Sequence, residues 1–463
     1  MSSVLDGVQY HESILTTIGH TPLVRVRKLA RDCPAPVLAK LEYFNPGGSV
    51  KDRIGLAMVE AAEKKGQLKP GGTIVECTSG NTGLGLAMVA AVLGYRAVFC
   101  MPDKVSSEKV SLLKAFGAEV LLSPTAVAPD SPESYYSVAK RIAAERPGAF
   151  LTNQYYNPAN PEAHFATTGP ELWEQTAGHI THFVAGMGTG GTISGASKYL
   201  KQKNPKIRVI GADPVGSILK AYKETGRMTE AHTYKIEGVG EDFIPGTTDF
   251  DAVDEVIACN DRNGLNMTRR LAREEAIFVG GSSGMAMWVA IEVARRLTPK
   301  ELVVVLLPDT GERYLTKVHN DAWMRDNHLF DPAVTRAADV LAGKGRAVRG
   351  LLSVQTEEPL RKALALVENH DITQLPVFRG SEVAGTIYDS DILKRVLENS
   401  SSLDQPVESL MSEALPVVEG DDPVDSVTRL MAARNSAVLV RDHGTLTGIL
   451  TRYDMLQFIA GGE

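Results

Sequence analysis

The chain has 463 residues, more than one hydrophobic core organises, which predicts about three domains. With 43% hydrophobic, 23% charged and only 6% aromatic residues it reads as a soluble globular protein, and a net charge of −7 without any lysine- or arginine-rich block argues against a nucleic-acid partner. The four cysteines (Cys33, Cys77, Cys100, Cys259) are widely spaced with no CxxC pair, which predicts reduced thiols, no metal site and a cytoplasmic setting; no apolar run nears the roughly 18 residues of a membrane span, and residues 1–12 are too polar for a signal or transit peptide.

In chain order, the short apolar stretches 23–26 and 37–41 read as strands. The turn Asn45-Pro46-Gly47-Gly48-Ser49 breaks regular structure, and Ser49 stands where the N-cap of the next helix is expected. Lys51 then falls in the first helical turn beside Arg53. The helix dipole and the neighbouring cation both favour the neutral, nucleophilic amine. The alternative is a solvated lysine.

From Lys51 to about Asp309, apolar runs alternate with amphipathic segments. The runs at 72–76, 97–101, 119–122, 182–185, 208–211 and 302–307 read as strands, and 84–93 and 108–116 as helices. More than six buried strands alternating with helices predict two parallel sheets covered on both faces, with ligands at the carboxyl ends of the strands.

Three glycine-rich turns lie at strand–helix junctions. Thr78-Ser79-Gly80-Asn81-Thr82-Gly83 offers backbone N–H groups, three hydroxyls and an amide to a carboxylate or phosphate; a plain capping turn is the alternative. Gly186-Met187-Gly188-Thr189-Gly190-Gly191-Thr192 satisfies GxGxxG, with Asp213 22 residues beyond Gly191. That pattern serves a dinucleotide or a lone phosphate monoester equally well. Gly280-Gly281-Ser282-Ser283-Gly284 matches GxSxG after an expected strand 276–279, with Asp309 and His319 following in serine-hydrolase order. Only one convincing strand lies between Ser282 and His319, too few for that hydrolase fold.

Beyond a mixed segment at 326–345, read as a linker, an internal repeat appears. Residues 383–392 recur as 446–455, and their glycines, Gly385 and Gly448, are 63 residues apart. Each copy carries a helical stretch after a proline (359–368, 423–434) and an apolar strand (375–378, 437–440). Two copies predict a paired, pseudo-symmetric module.

A lysine for a Schiff base, an anion cradle, and partners for a ring oxygen and a ring nitrogen are what pyridoxal phosphate requires. Taken in order, 45–53, 78–83, 188–192 and 280–284 resemble the fold-type II pyridoxal-phosphate enzymes of the cysteine synthase/cystathionine β-synthase family, over about residues 8–325. The resemblance implies an α/β catalytic domain over 1–325 with two parallel or mixed-sheet subdomains, the smaller at about 47–155. It makes Lys51 the internal-aldimine lysine and Asn81 the partner of the cofactor's ring hydroxyl. Gly188, Thr189, Gly190, Gly191 and Thr192 become the phosphate cradle, and Ser282 the partner of the pyridine nitrogen. Thr78, Ser79, Thr82 and Gln154 become the clamp on the substrate's α-carboxylate. A serine opposite the pyridine nitrogen does not stabilise a protonated ring, so β-elimination to an aminoacrylate is favoured over transamination, with Lys51 moving the α-proton.

Three features lean towards the cystathionine β-synthase branch, which joins serine or an activated serine to homocysteine. Tyr155 stands where cysteine synthases usually carry phenylalanine. Glu237 and Asp242, in the acidic loop 237–245, suit the ammonium group of an amino-acid thiol, although they also suit a solvated loop. The repeats (346–400 and 401–463) resemble the paired CBS module, in which Asp391, Thr451 and Asp454 match positions that hold adenosine ligands such as S-adenosylmethionine; Tyr388 replaces the first repeat's hydroxyl, and a purely dimerising role is the alternative. Gly311-Glu312-Arg313-Tyr314 instead resembles cysteine synthases, which use O-acetylserine and sulfide. Further expectations are no haem, amino-acid substrates, and a homo-oligomer, dimer or tetramer. An adenosyl-ligand sensor with a vestigial catalytic half is the alternative from another class.

Overall fold

The computed structural model describes every residue except 1, 6–7, 79, 125–126, 128–130, 331–335, 345–350, 434, 443 and 461–463. The chain divides into two compact units, Met1–Phe330 and Asp331–Glu463.

In the first unit the strands are β1 (Ser2–Leu5), β2 (Val8–His11), β3 (Leu23–Val26), β4 (Val37–Leu41), β5 (Thr73–Cys77), β6 (Arg96–Pro102), β7 (Glu119–Ser123), β8 (Ala149–Leu151), β9 (His182–Gly186), β10 (Arg208–Pro214), β11 (Glu255–Cys259) and β12 (Val303–Leu307). They form two main sheets. One has the order β7-β6-β5-β8, all parallel, and the other β11-β10-β9-β12-β4-β3, parallel except for β3. All five residues of β5 and of β12 are buried, as central strands covered on both faces must be.

In each sheet the chain runs outward in one direction and returns on the other side. This puts a switch point between β5 and β8 and another between β9 and β12. The loops leaving neighbouring strands diverge at such points and open a crevice. Thr78–Gly83 leaves β5 and Gln154 follows β8; the glycine cradle leaves β9 and Asp309 follows β12. Every expected strand run is present except 276–279, where Val279 makes only an isolated bridge to Thr310. Ile277 and Val279 are buried in a connecting segment, which is why this run is apolar without being a strand.

In the second unit, each repeat is a three-stranded sheet with two helices. The first holds β13 (Val354–Gln355), β14 (Gln374–Arg379) and β15 (Glu382–Tyr388), with helices Leu360–His370 and Asp389–Glu398. The second holds β16 (Val417–Glu419), β17 (Ala437–Asp442) and β18 (Thr445–Thr451), with helices Val424–Ala433 and Arg452–Ala460. The segment read as a linker is not plain: helix Ala337–Ala342 within it docks on the second repeat. Its Ala337 and Ala338 amides donate to Asp422 and Gly420 carbonyls (2.9 and 3.0 Å), and Ala337 and Val340 join that repeat's core. The repeat glycines now have a reason. A Cβ on Gly448 would lie 2.6 Å from Leu341 of this helix, and one on Gly385 would lie 2.7 Å from the Ser412 carbonyl. Each glycine admits a segment crossing its sheet.

Candidate active site

Lys51 is the first residue of helix α1 (Lys51–Lys64). The cap position is Val50, not Ser49, but the Ser49 hydroxyl still accepts the Lys51 amide at 3.2 Å. The preceding turn is fastened to the segment after β12: the Val50 amide donates to Pro308 O (2.8 Å) and the Thr310 amide to Gly48 O (3.2 Å). The Lys51 side chain, half-buried, reaches Thr189 of the cradle, Nζ to Oγ1 3.2 Å. Burial pulls its ammonium down to about 8, against Glu241 and Asp309, which favour the charged form.

The expected cause was different. Arg53 does not press on Lys51; it turns into a buried ion-pair cluster. Its guanidinium donates to Glu42 (2.7 and 2.9 Å) and Glu171 (2.7 and 2.8 Å), while Lys40 donates to Glu171 at 2.6 Å. Burial alone would raise the Glu171 carboxyl, but Arg53 and Lys40 hold it at about 2. Desolvation, which no sequence pattern displays, is what tunes Lys51.

The cradle precedes helix Gly191–Lys203, whose cap residue Gly190 is left-handed (φ +84°). A Cβ on Gly190 would lie 2.0 Å from the Thr248 hydroxyl, and one on Gly191 1.9 Å from Oδ1 of Asn160. Behind the cradle, the Thr192 hydroxyl meets Nε2 of His164 (3.1 Å), whose Nδ1 meets Thr168 (2.8 Å). Burial keeps this imidazole neutral, its pKa well below the usual histidine value. Gly188 lies against the Gly238 carbonyl, and the Gly240 amide donates to Met187 O at 2.7 Å, tying the acidic loop to the cradle.

The helices beginning at Asn81, Gly191 and Gly281 start from a glycine cap residue, which has no side chain to occupy their first N–H groups. Uncapped N-termini keep N–H groups for an incoming anion. The Thr248 hydroxyl against the cradle is buried without a hydrogen-bond partner. With the cradle's backbone N–H groups and the Thr189 and Thr192 hydroxyls it makes a donor set that fits a phosphate ester, and a lysine amine at 3.2 Å from Thr189 suits an aldehyde carried beside it.

Asn81 opens helix α2 (Asn81–Leu93). Its amide donates to Asp309 at 2.8 Å, and its side-chain oxygen accepts from Arg313, which also donates to the Gly47 carbonyl. Thr78 and Gln154 are buried; the Thr82 hydroxyl donates to Gln154 Oε1 at 2.6 Å. Ser79 lies outside the described residues. Sequence reading missed Glu76, fully buried in β5, which accepts the Gln154 amide (3.1 Å), the Thr152 hydroxyl (2.5 Å) and the Cys77 amide (2.9 Å). Its position one residue before the strand's end was the available signal. Ser282 is buried in the first turn of helix Gly281–Ala294.

Two tempting readings end here. His319 Nε2 contacts the Val279 carbonyl (3.0 Å) and Asp309 is held by Asn81 and Tyr314, so no Ser-His-Asp relay forms. Asp213 is fully buried and accepts the Lys220 amide (3.0 Å), so it is not presented to a ribose.

Glu237 differs from expectation: its carboxylate is engaged by Lys109 (2.7 Å) and by Lys317. The loop's other glutamate, half-buried Glu241, is an electrostatic neighbour of Tyr155 and Lys51. In the second unit, the Asp454 carboxylate accepts from the Thr451 amide and hydroxyl (2.7 Å each) and pairs with Lys344 at 2.7 Å. Asp391 occupies the first turn of helix Asp389–Glu398 and is half-buried.

Residues 14–309 match the family described as pyridoxal-phosphate dependent enzyme, and 346–398 and 407–461 match the CBS domain. The cystathionine beta-synthase of Dictyostelium discoideum is 37% identical over 97% of this chain and 92% of its own length. A cysteine synthase of Staphylococcus aureus is 47% identical over 66% of this chain and 96% of its own. The crystal structure of an O-ureido-L-serine synthase superposes with a TM-score of 0.62 at 39% identity, covering 68% of this chain and 99% of that one.

Proposed function

The chain belongs to the cystathionine β-synthase family of pyridoxal-phosphate-dependent enzymes, and from this we propose that it condenses L-serine, or an activated serine, with L-homocysteine to give L-cystathionine. The observation that carries the reading is the extent of the cystathionine beta-synthase relative, which runs through both repeats.

When bound, pyridoxal phosphate supplies an electron sink for the substrate's α-carbon. Lys51 takes the α-proton, and its lowered basicity keeps a useful neutral fraction near neutral pH. Thr78, Ser79, Thr82 and Gln154 hold the substrate's carboxylate, and a hydrogen bond joins Thr82 to Gln154. Gly188, Thr189, Gly190, Gly191 and Thr192 hold the phosphate, Asn81 the ring hydroxyl, and Ser282 the ring nitrogen. Tyr155 lines the acceptor side, edge-on to Phe243 with ring centroids 5.1 Å apart.

The second unit, with Asp391, Thr451 and Asp454, binds an adenosine ligand such as S-adenosylmethionine or AMP and regulates the enzyme, which works as a cytoplasmic homo-oligomer. Supplying serine with homocysteine, and separately O-acetylserine with sulfide, tests the reaction: turnover of the sulfide pair alone would overturn it. That second reading, cysteine synthase, is favoured by Gly311–Tyr314 and by the 47% identity to the S. aureus enzyme.

A further inference from the structure

Asn81 and the segment after β12 grip one another across the two sheets. Asn81 follows β5, in the four-stranded sheet, whereas Asp309, Arg313 and Tyr314 follow β12, in the six-stranded one. The buried Asp309 carboxylate takes one N–H of the Asn81 amide on its Oδ2 (2.8 Å), and the Tyr314 hydroxyl donates to the same oxygen (2.6 Å). On the other side of the amide, the Arg313 guanidinium donates to Asn81 Oδ1 and, with its second nitrogen, to the Gly47 carbonyl in the turn before Lys51. Gly48 makes room for that reach: its backbone is left-handed (φ +76°), and a Cβ there would lie 3.1 Å from Arg313 Nη2. A carboxamide free to turn over presents either its oxygen or its NH₂. This one is not free, because a guanidinium only donates and Asp309 Oδ2 accepts. Burial raises the Asp309 carboxyl against Tyr314, Asn81 and Arg313, but a proton taken up there has the unpartnered Oδ1 to sit on, so Oδ2 stays an acceptor.

We propose that Asp309 and Arg313 are positioning residues that lock the Asn81 amide, so that it meets the cofactor's ring oxygen with an N–H and never with its carbonyl. The inference rests on the reading that puts Asn81 at the ring hydroxyl. Asn81 Nδ2 carries two hydrogens and Asp309 takes one of them, so the second is the donor left for the ring. An N–H favours the ionised form of a ring hydroxyl, whereas a carbonyl oxygen in the same place would favour the protonated form. The lock therefore sets the charge of the ring oxygen before any substrate arrives. Through Gly47, Arg313 ties that setting to the turn that precedes Lys51.

The test reads the absorbance of the holoenzyme, in which an ionised ring hydroxyl gives a visible band and a neutral one a near-ultraviolet band. Cofactor affinity comes from titrating the cofactor-free protein. Asp309→Ala lowers the ratio of visible to near-ultraviolet absorbance about fivefold and weakens affinity by a similar factor, the scale of one hydrogen bond. Asn81→Ala does the same, and the double variant is no worse than Asn81→Ala alone, because Asp309 acts through that amide. Additive losses in the double variant would overturn the proposal. Arg313→Lys keeps the charge but replaces the fork that spans Asn81 and Gly47 with a single ammonium, and it shifts the ratio in the same direction. A wild-type ratio in that variant would mean that charge alone suffices and would also overturn the lock. Tyr314→Phe removes only the other donor to Asp309; it lowers Tm and leaves the ratio unchanged. A shift as large as that of Asp309→Ala would reduce the network to a structural support and count against the proposal. If Asp309→Ala does not fold, Arg313→Lys with Asn81→Ala completes the same cycle. A wild-type spectrum and affinity in Asn81→Ala would sink the ring-hydroxyl assignment itself, a failure distinct from an Asp309 effect that survives without Asn81.

Discussion

Gly55 and Gly85 touch where the helices that begin at Lys51 and Asn81 cross. A Cβ on Gly55 would lie 2.8 Å from the Gly85 carbonyl carbon, and one on Gly85 would lie 2.8 Å from the Lys51 carbonyl oxygen. Backbone-to-backbone contact therefore fixes the spacing between the lysine and the amide that flank the proposed cofactor. Gly85→Ala forces these helices apart. Overpacking of this kind costs about 1–3 kcal/mol, visible as a lower Tm, and the cofactor dissociates more readily in an absorbance titration. A variant with unchanged Tm and cofactor affinity would show that the spacing is not set here.

Lys51 predicts a pH signature of its own. In the cofactor-free protein its folded pKa, pulled down by burial to about 8, lies below the value near 10.4 of an unfolded lysine. Between those values the unfolded chain binds more protons, so stability rises with pH. Lys51→Met removes the penalty. It raises Tm relative to cofactor-free wild type at pH 7, and the gap closes towards pH 10. A gap independent of pH would refute the burial argument. The same variant abolishes the visible absorbance of the holoenzyme, which excludes a vestigial catalytic half if wild type shows it.

Glu76 acts on the substrate clamp from behind. Its two oxygens serve the Cys77 and Gln154 amides and the Thr152 hydroxyl, and an amide in its place would set its NH₂ against donors. Glu76→Gln is expected to lose about 1–3 kcal/mol from an unsatisfied buried group. The functional mark is a raised KM for serine with a smaller change in kcat, because the group orients Gln154 and touches no reacting atom.

In the second unit, Lys344 competes with whatever Asp454 would hold. On the adenosine reading, Lys344→Ala frees that carboxylate and strengthens S-adenosylmethionine or AMP binding several-fold in calorimetric titration, whereas Asp454→Ala abolishes it. Weaker binding in Lys344→Ala would instead make the lysine part of the ligand's own contacts.

Much of this was legible in the residues, and the reasons are specific. Strand runs such as 302–307 are apolar along their length because a central parallel strand is buried on both faces, and the glycine turns stand out because helix starts that receive anions use glycine. The repeat was visible because Gly385 and Gly448 each admit a crossing segment. What stayed hidden depends on tertiary contact. Nothing local distinguishes Glu241 from Glu237 until Lys109 and Lys317 claim one of them. The run 276–279 has a strand's composition, and only the absence of a full ladder in the described fold corrects it. Arg53, two residues from Lys51, invited an electrostatic argument that its buried partners Glu42 and Glu171 cancel.

That buried cluster yields the last expectation. Glu171 ties Arg53 and Lys40 together, and through Arg53 it anchors the first turn of the helix carrying Lys51. Glu42 still pairs with Arg53, so removing Glu171 leaves one buried positive charge, centred on Lys40, uncompensated; the loss is about 3–5 kcal/mol, and Glu171→Gln should unfold at markedly lower denaturant. The sign with pH is fixed by the carboxyl's folded value of about 2, below the unfolded value near 4.3. Such a group stabilises the fold fully above its unfolded pKa, and the contribution drains away as pH falls towards 2. The stability difference between wild type and Glu171→Gln is therefore constant from about pH 5 upward and shrinks below it. Chemical denaturation at pH 7, 5, 4 and 3 measures this directly, and a difference that stayed constant to pH 3 would mean that the salt-bridged carboxylate is not what anchors Arg53.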